Sequence, residues 1–185
     1  MRAAAFDLLD LVPARRGHFA YESGHHGDLW LDLDALFVRP RRLQPYVAEL
    51  ASQLARHGLE VVCGPLVGGA FVAQAVAAEL DVAFCYSSLL SGSYRIPTAL
   101  GSALAGRRVA VVDDAINAGS AVLGTAAAVR EAGGHLSVVG ALLVLGAPVD
   151  AGVPVERLAA LPNALLTIAD CPLCRAGTPL DRPPS

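Results

Sequence analysis

The sequence contains no lysine: all 14 basic residues are arginine. Any mechanism that needs a lysine ammonium is therefore excluded, because arginine carries its charge on a planar fork rather than at a compact point. An excess of positive charge is also missing. The net charge of -3 and pI near 5.9 leave no overall footprint for nucleic acid. No apolar run is long enough to span a bilayer; the longest, such as 138–149, falls well short. No secretory signal is visible either, because acids interrupt the short apolar start after Phe6. Internal repeats and dividing linkers are absent as well. What remains is a chain of 185 residues, 54% hydrophobic, long enough for one well-buried domain spanning 1–185. Cys63 and Cys85 lie in apolar runs and read as reduced core thiols, so a cytoplasmic protein is expected.

The apolar spacing predicts a helix over 2–13, closed by Pro13. A β-rich segment over 18–37 follows, around the turn Ser23-Gly24-His25-His26-Gly27-Asp28, with Trp30, Leu31, Leu33, Leu36 and Phe37 on its apolar side. A second helix over 43–57 ends at His57-Gly58. Regular alternation begins after that. Strands are expected at 61–63, 82–86, 109–112 and 137–145, and helices at 68–80 and 120–132. Residues 87–106 read as a long loop of polar and small residues with room for short strands. This order defines an α/β fold with a mainly parallel central sheet covered on both faces. The segment 1–40 forms a β-rich N-terminal appendage. The proline-bearing tail 169–185 packs as an extended appendage or frays.

In such a sheet, ligands bind beyond the carboxyl ends of the strands. Val111-Val112-Asp113-Asp114 brings two adjacent acids to such an end, followed by Ala115-Ile116-Asn117-Ala118-Gly119-Ser120 and a helix. Carboxylates accept hydrogen bonds from sugar hydroxyls, and free N–H groups at a turn and helix start cradle phosphate. A helix cap would need one acid, placed beside the helix. Two acids at the strand end fit a ribose-phosphate site better. Cys63-Gly64-Pro65-Leu66-Val67-Gly68-Gly69 also joins a strand to a helix, and Gly68-Gly69 permits close backbone approach to an anion. Alone it reads equally well as a tight turn. Two such loops on neighbouring strands point to a ligand with two separate phosphate groups.

The pair of loops resembles the type I phosphoribosyltransferases. Val111-Val112-Asp113-Asp114 and its turn match the family's signature for phosphoribosyl pyrophosphate (PRPP), and Gly64 to Gly69 match its pyrophosphate loop. Within the family the resemblance is to the orotate enzymes. It extends to Gly17-His18-Phe19-Ala20-Tyr21-Glu22-Ser23-Gly24, Leu29-Trp30-Leu31-Asp32 and the tail Cys171-Pro172-Leu173-Cys174-Arg175-Ala176-Gly177-Thr178-Pro179-Leu180. The resemblance implies a homodimer that joins orotate to PRPP with Mg²⁺, releasing pyrophosphate and orotidine 5′-monophosphate in pyrimidine nucleotide biosynthesis. Neither nucleic acid nor membrane is an expected partner. Asp113 and Asp114 would hold the ribose hydroxyls, directly or through Mg²⁺-bound water. The N–H groups of Ala115 to Ser120 would hold the 5′-phosphate, and Gly64, Pro65, Gly68 and Gly69 the pyrophosphate. His25, His26 and Phe37 would lie on the base side.

The sequence departs from the family in two places. The signature turn usually carries two threonines; here Asn117-Ala118-Gly119-Ser120-Ala121 stands instead. The orotate enzymes place an Arg-Lys pair, a further Lys and a His on a mobile loop that closes over the pyrophosphate, often from the partner subunit. Segment 86–97 offers one cation, Arg95, which reads either as the catalytic group for pyrophosphate or as part of an exposed turn. Two further functions follow as alternatives: phosphoribosyl transfer to another base, and a non-catalytic module that binds PRPP or a nucleotide. His25 and His26 read equally as a solvated loop pair, and Arg39, Arg41 and Arg42 as a solvated helix start or a subunit contact. Cys171 and Cys174 have zinc-knuckle spacing. A closed site needs four ligands, so the pair reads first as a structural turn and second as half of a zinc site.

Overall fold

The computed structural model describes residues 8–21, 23–147 and 149–182. Most of the expected first helix lies outside these residues. Leu8 and Leu9 are helical, and Leu8 is fully buried in the core.

Two sheets organise the chain. The smaller is an antiparallel hairpin of β1 (Ala14–Ala20) and β2 (His26–Leu31). The larger has six strands: β3 (Val61–Pro65), β4 (Ala83–Leu90), β5 (Ser93–Arg95), β6 (Arg108–Ile116), β7 (His135–Leu145) and β8 (Val155–Leu161). Their spatial order is β5-β4-β3-β6-β7-β8, parallel throughout except for the β4–β5 hairpin at one edge. Helices α1 (Pro40–Leu54), α2 (Gly68–Leu80) and α4 (Ser120–Glu131) cover it, and α3 (Thr98–Gly101) and α5 (Pro172–Arg175) are single turns.

Side-chain alternation splits the core into two layers, because successive strand residues face opposite sides. Val62, Ala110, Val112, Val138 and Leu142 pack against Leu50 and Leu54 of α1 and Val72 and Val76 of α2. Val61, Cys63, Val109, Val111, Val139 and Ala141 pack against Val122, Ala126 and Val129 of α4. Cys63 lies beside Cys85 in register, both fully buried. The hydrogen bond with Cys85, together with burial, holds the Cys63 thiol far above its ordinary range. Both are core thiols, as expected.

Several elements differ from expectation. β1 starts at Ala14, and His26-Gly27-Asp28 belong to β2 rather than to the turn. β6 runs on through Asp113 and Asp114, so the acids stand within the strand end rather than in the following loop. The expected long loop over 87–106 is largely ordered. β4 extends to Leu90 and returns as β5 through Ser91-Gly92, both at positive φ as a two-residue hairpin turn requires. β8 was unexpected, since Glu156 and Arg157 interrupt its apolar pattern. The tail is docked rather than frayed. The Asp181 N–H donates to the His18 carbonyl (2.7 Å), and the His18 N–H to Asp181 Oδ2 (2.8 Å). The absence of a Cβ on Gly17 leaves room for the Asp181 carboxylate beside β1.

Candidate active site

The chain leaves β3 through α2 to β4 on one side and leaves β6 through α4 to β7 on the other. The strand order therefore reverses between β3 and β6, and their carboxyl ends flank the crevice where open α/β sheets bind ligands. β6 brings Asp113 and Asp114 to that crevice, and β3 leads into the N-terminus of α2. The two meet directly: a Cβ on Gly68 would strike the Asp114 carboxylate, and one on Gly69 the Asp113 carboxylate. The glycine pair thus makes room for two acids beside a helix N-terminus.

The acids hold their own geometry. The Asp114 N–H donates to Asp113 Oδ1 (3.0 Å), and the Ala115 N–H to Asp114 Oδ1 (2.8 Å). Asp113 is 6% exposed. Burial, followed by the charge of Asp114, pushes its carboxyl well above the ordinary carboxylate range. Burial also raises Asp114, against the hydrogen bonds it accepts, with Asp34 adding repulsion. Among the described residues, arginine ion pairs reach Asp28, Glu156, Glu131 and Glu60, and none reaches this pair.

Two chambers open on the acids. One, of about 230 Å³, is lined by Asp113, Tyr21, Ser23, Trp30 and the loop Ala115–Ala121. The other, of about 450 Å³, is lined by Asp114, Asp32, Asp34, Val67, Gly68 and Leu145, among others. They share Tyr21, Trp30, Ala115 and Asn117, so they form one divided cleft. Tyr21 and Trp30 stack with their rings 16° apart, and Gly27 lacks the Cβ that would strike Tyr21. Gly119, left-handed at φ 81°, starts α4, whose first-turn N–H groups have no intrahelical partner and border the smaller chamber. Asn163 Nδ2 donates to Asn117 Oδ1 (3.1 Å), steadying the same loop. The donor set fits a hard divalent cation: carboxylates line both chambers and, among the described residues, no cationic side chain lines either. Mg²⁺ is usually bound by one or two carboxylates together with substrate phosphates.

The residues named from the sequence separate into groups. Asp113, Asp114, Ala115, Ile116, Asn117, Ala118, Gly119, Ser120 and Gly68 line the cleft. Gly64 and Pro65 do not; they are buried within β3. A Cβ on Gly64 would strike Gly69 and Ala73, so this glycine lets α2 pack onto the sheet. Gly69 is buried against Asp113. Arg95 lies on β5 in an adjoining chamber that shares only Ser23 and Ser120 with the smaller one, and it pairs with Glu131 of α4 (3.2 Å). The base-side expectation fails for His26, which is 6% exposed and turns away towards His18 and the tail. His25 Nδ1 lies 3.2 Å from Ser23 Oγ and lines neither chamber. Phe37 packs on Phe71, with centroids 5.2 Å apart. The sequence reading placed Tyr21, Trp30 and Asp32 within the segments that resemble the orotate enzymes, without singling them out, and it missed Asp34 and Asn163 as lining or supporting groups. The alternation of Trp30, Asp32 and Asp34 was the available signal for Asp34.

Comparison places this arrangement. No family model matches the chain. Among solved structures, an adenine phosphoribosyltransferase from Thermoanaerobacter pseudethanolicus superposes with a TM-score of 0.68 at 18% identity, covering 84% of this chain and 99% of that one. The orotate phosphoribosyltransferase of Mycobacterium tuberculosis H37Rv, in complex with inorganic phosphate, gives 0.64 at 21% identity, covering 86% and 95%. The fold is that of the type I phosphoribosyltransferases. In sequence, orotate phosphoribosyltransferase of Caldanaerobacter subterraneus subsp. tengcongensis is 30% identical over 97% of this chain and 94% of its own length. That of Pelotomaculum thermopropionicum is 32% identical over 91% and 89%. The chain belongs to the type I phosphoribosyltransferase family, and these sequence relatives within it are orotate phosphoribosyltransferases.

Proposed function

We propose that the chain transfers a phosphoribosyl group from PRPP to orotate, giving orotidine 5′-monophosphate and pyrophosphate. The observation that carries the reading is the meeting of Asp113-Asp114 with the N-terminus of α2 at the strand-order switch point, beside the chamber lined by Ala115–Ser120. Asp113 and Asp114 accept the ribose hydroxyls, directly or through metal-bound water. The N–H groups of the loop and of the first turn of α4 hold the 5′-phosphate. Gly68 and the adjoining backbone meet the pyrophosphate. Asp113 and Asp114, together with the substrate, would hold a Mg²⁺ ion, which would supply charge neutralisation for the leaving pyrophosphate.

The protein supplies no nucleophile. The C1–O bond to pyrophosphate breaks with its electron pair leaving on oxygen, and the base nitrogen forms the new bond to C1 from the opposite face, its N–H proton passing to the departing pyrophosphate or to water. The chain contributes positioning and charge stabilisation, with the stacked Tyr21 and Trp30 offering an aromatic wall beside the base. Arg95 is the cation available to the departing pyrophosphate. Its partner Glu131 holds it only in an exposed pair, worth ~0–1 kcal/mol, so little opposes its release. A homodimer is part of the same reading, with the exposed Leu89 and Leu90 as candidates for its contact.

A specific observation favours a second reading: among the described residues, no cationic side chain lines either chamber. A chain that binds PRPP without turning it over would look the same. An assay with PRPP, Mg²⁺ and a panel of bases, with binding measured in parallel, separates the outcomes. Turnover with orotate supports the proposal, and turnover only with another base changes the acceptor. Binding without turnover leaves the non-catalytic module, and no binding removes both readings.

A further inference from the structure

We propose that His18, His26, Cys171 and Cys174 bind one Zn²⁺ ion that fastens the C-terminal segment to the β1–β2 hairpin. Each side chain offers one ligand atom, and the four atoms lie within 4.8 Å of one another. The closest approaches are His18 Nε2 to His26 Nδ1 at 3.0 Å, His18 Nε2 to each thiol sulfur at 3.5 Å, and Cys174 Sγ to His26 Nδ1 at 3.2 Å. A tetrahedral zinc with ordinary bond lengths separates two nitrogens by roughly 3.3 Å and a nitrogen from a sulfur by roughly 3.6 Å. Four of the six separations therefore lie within about 0.4 Å of those in a zinc tetrahedron, and the remaining two are no longer than 4.8 Å.

Hydrogen bonding alone does not account for this convergence. His18 Nδ1 is 2.8 Å from the Thr178 carbonyl, which can only accept, so Nδ1 carries the proton and Nε2 presents a lone pair. One lone pair cannot satisfy an imidazole and two thiols together, whereas an ion at their centre takes all four. The Thr178 contact is the outer-shell bond that usually orients a metal-binding histidine. Three of the four residues are buried and Cys174 is half-buried, as a closed structural site requires. Two sulfurs and two imidazoles in tetrahedral array select zinc over the hard, oxygen-preferring cations.

The site joins parts of the chain far apart in sequence. His18 comes from β1, His26 from the first residue of β2, Cys171 from the residue just before the α5 turn and Cys174 from its third residue. The His26–Leu166 bridge (2.8 and 2.9 Å) and the His18–Asp181 backbone bond flank it. The turn between the strands carries Tyr21, which lines the cleft.

The test uses full-length reduced protein loaded with Zn²⁺ or Co²⁺ and then desalted. One metal per chain is expected, together with the intense visible spectrum of tetrahedral cobalt with thiolate ligands. The Cys171→Ser/Cys174→Ser double variant should retain at least tenfold less metal, and stripping zinc with a chelator should lower Tm by several degrees. Absence of retained metal would overturn the proposal. So would a pale octahedral cobalt spectrum, undiminished metal in the double variant, or a Cys171–Cys174 disulfide with no zinc uptake after reduction. An unchanged Tm on stripping would overturn the fastening. If the double variant does not fold, the cobalt spectrum of the wild-type chain still decides. None of these readouts involves PRPP, so they stand or fall separately from the proposed activity.

Discussion

The cleft at the strand ends and the cluster under the tail are opposites in donor chemistry. The cleft gathers carboxylates and backbone N–H groups around open space. The cluster gathers two imidazoles and two thiols around almost none. Hard oxygen donors with open positions suit a cation that arrives with its substrate, while soft donors closing on a point suit a resident structural ion. The cleft also carries an energetic penalty, because among the described residues its two buried acids have no cationic partner. A site that must wait for a ligand is left uncompensated, and one that holds the fold together is not.

The sharpest way to break this contrast is Asp114→Asn. It should lower PRPP affinity by ~100-fold, about 2.7 kcal/mol, while the far-ultraviolet circular dichroism stays unchanged. Unchanged affinity would show that the ribose-phosphate site lies elsewhere. Gly68→Ala comes next. Its Cβ meets the Asp114 carboxylate, and forcing the two apart should weaken PRPP binding by ~10-fold and cost ~1–3 kcal/mol of stability in a urea titration. Equal behaviour of Gly68→Ala and wild type would mean that the acid does not depend on the α2 terminus.

Arg95→Ala should slow turnover by ~10-fold and change PRPP affinity by less than about threefold, the signature of a group that acts mainly in the transition state. Equal losses in both would assign it to ground-state binding instead. The smallest effect is on stability. Burial raises Asp113 above its ordinary value of 3.8, so the folded chain binds more protons than the unfolded one. Stability therefore falls as pH rises from 3.8 through the raised pKa. Asp113→Asn removes that penalty and can still accept the Asp114 N–H. Without ligand or metal, it should melt higher than wild type at pH 8, and the difference should vanish below pH 3.8. A lower Tm at pH 8 would contradict the uncompensated pair.

The two regions also differ in how much of them could be read from the sequence. Asp113, Asp114 and the loop to Ser120 are contiguous, so strand, acids and helix start appear in one stretch of chain. The parallel sheet followed from the alternation of short Val-rich runs with Ala-rich helices. The histidine–cysteine cluster was half legible: Cys171 and Cys174 showed their spacing, but their partners lie more than 140 positions away. His26 read as a loop residue because nothing local reveals that β2 begins there and turns its side chain to the tail. The β4–β5 hairpin was hidden by its serine and glycine content, although Ser91-Gly92 is itself a turn signal. Gly64 was misread because a glycine needed for helix packing and one that approaches a ligand look alike in sequence.

The most direct measurement is a calorimetric titration of PRPP into the wild-type chain and Asp114→Asn, with and without Mg²⁺. Saturable binding to wild type that strengthens with Mg²⁺ and is lost in Asp114→Asn is the predicted result. No binding to wild type, or binding indifferent to Asp114, would contradict the assignment of the cleft.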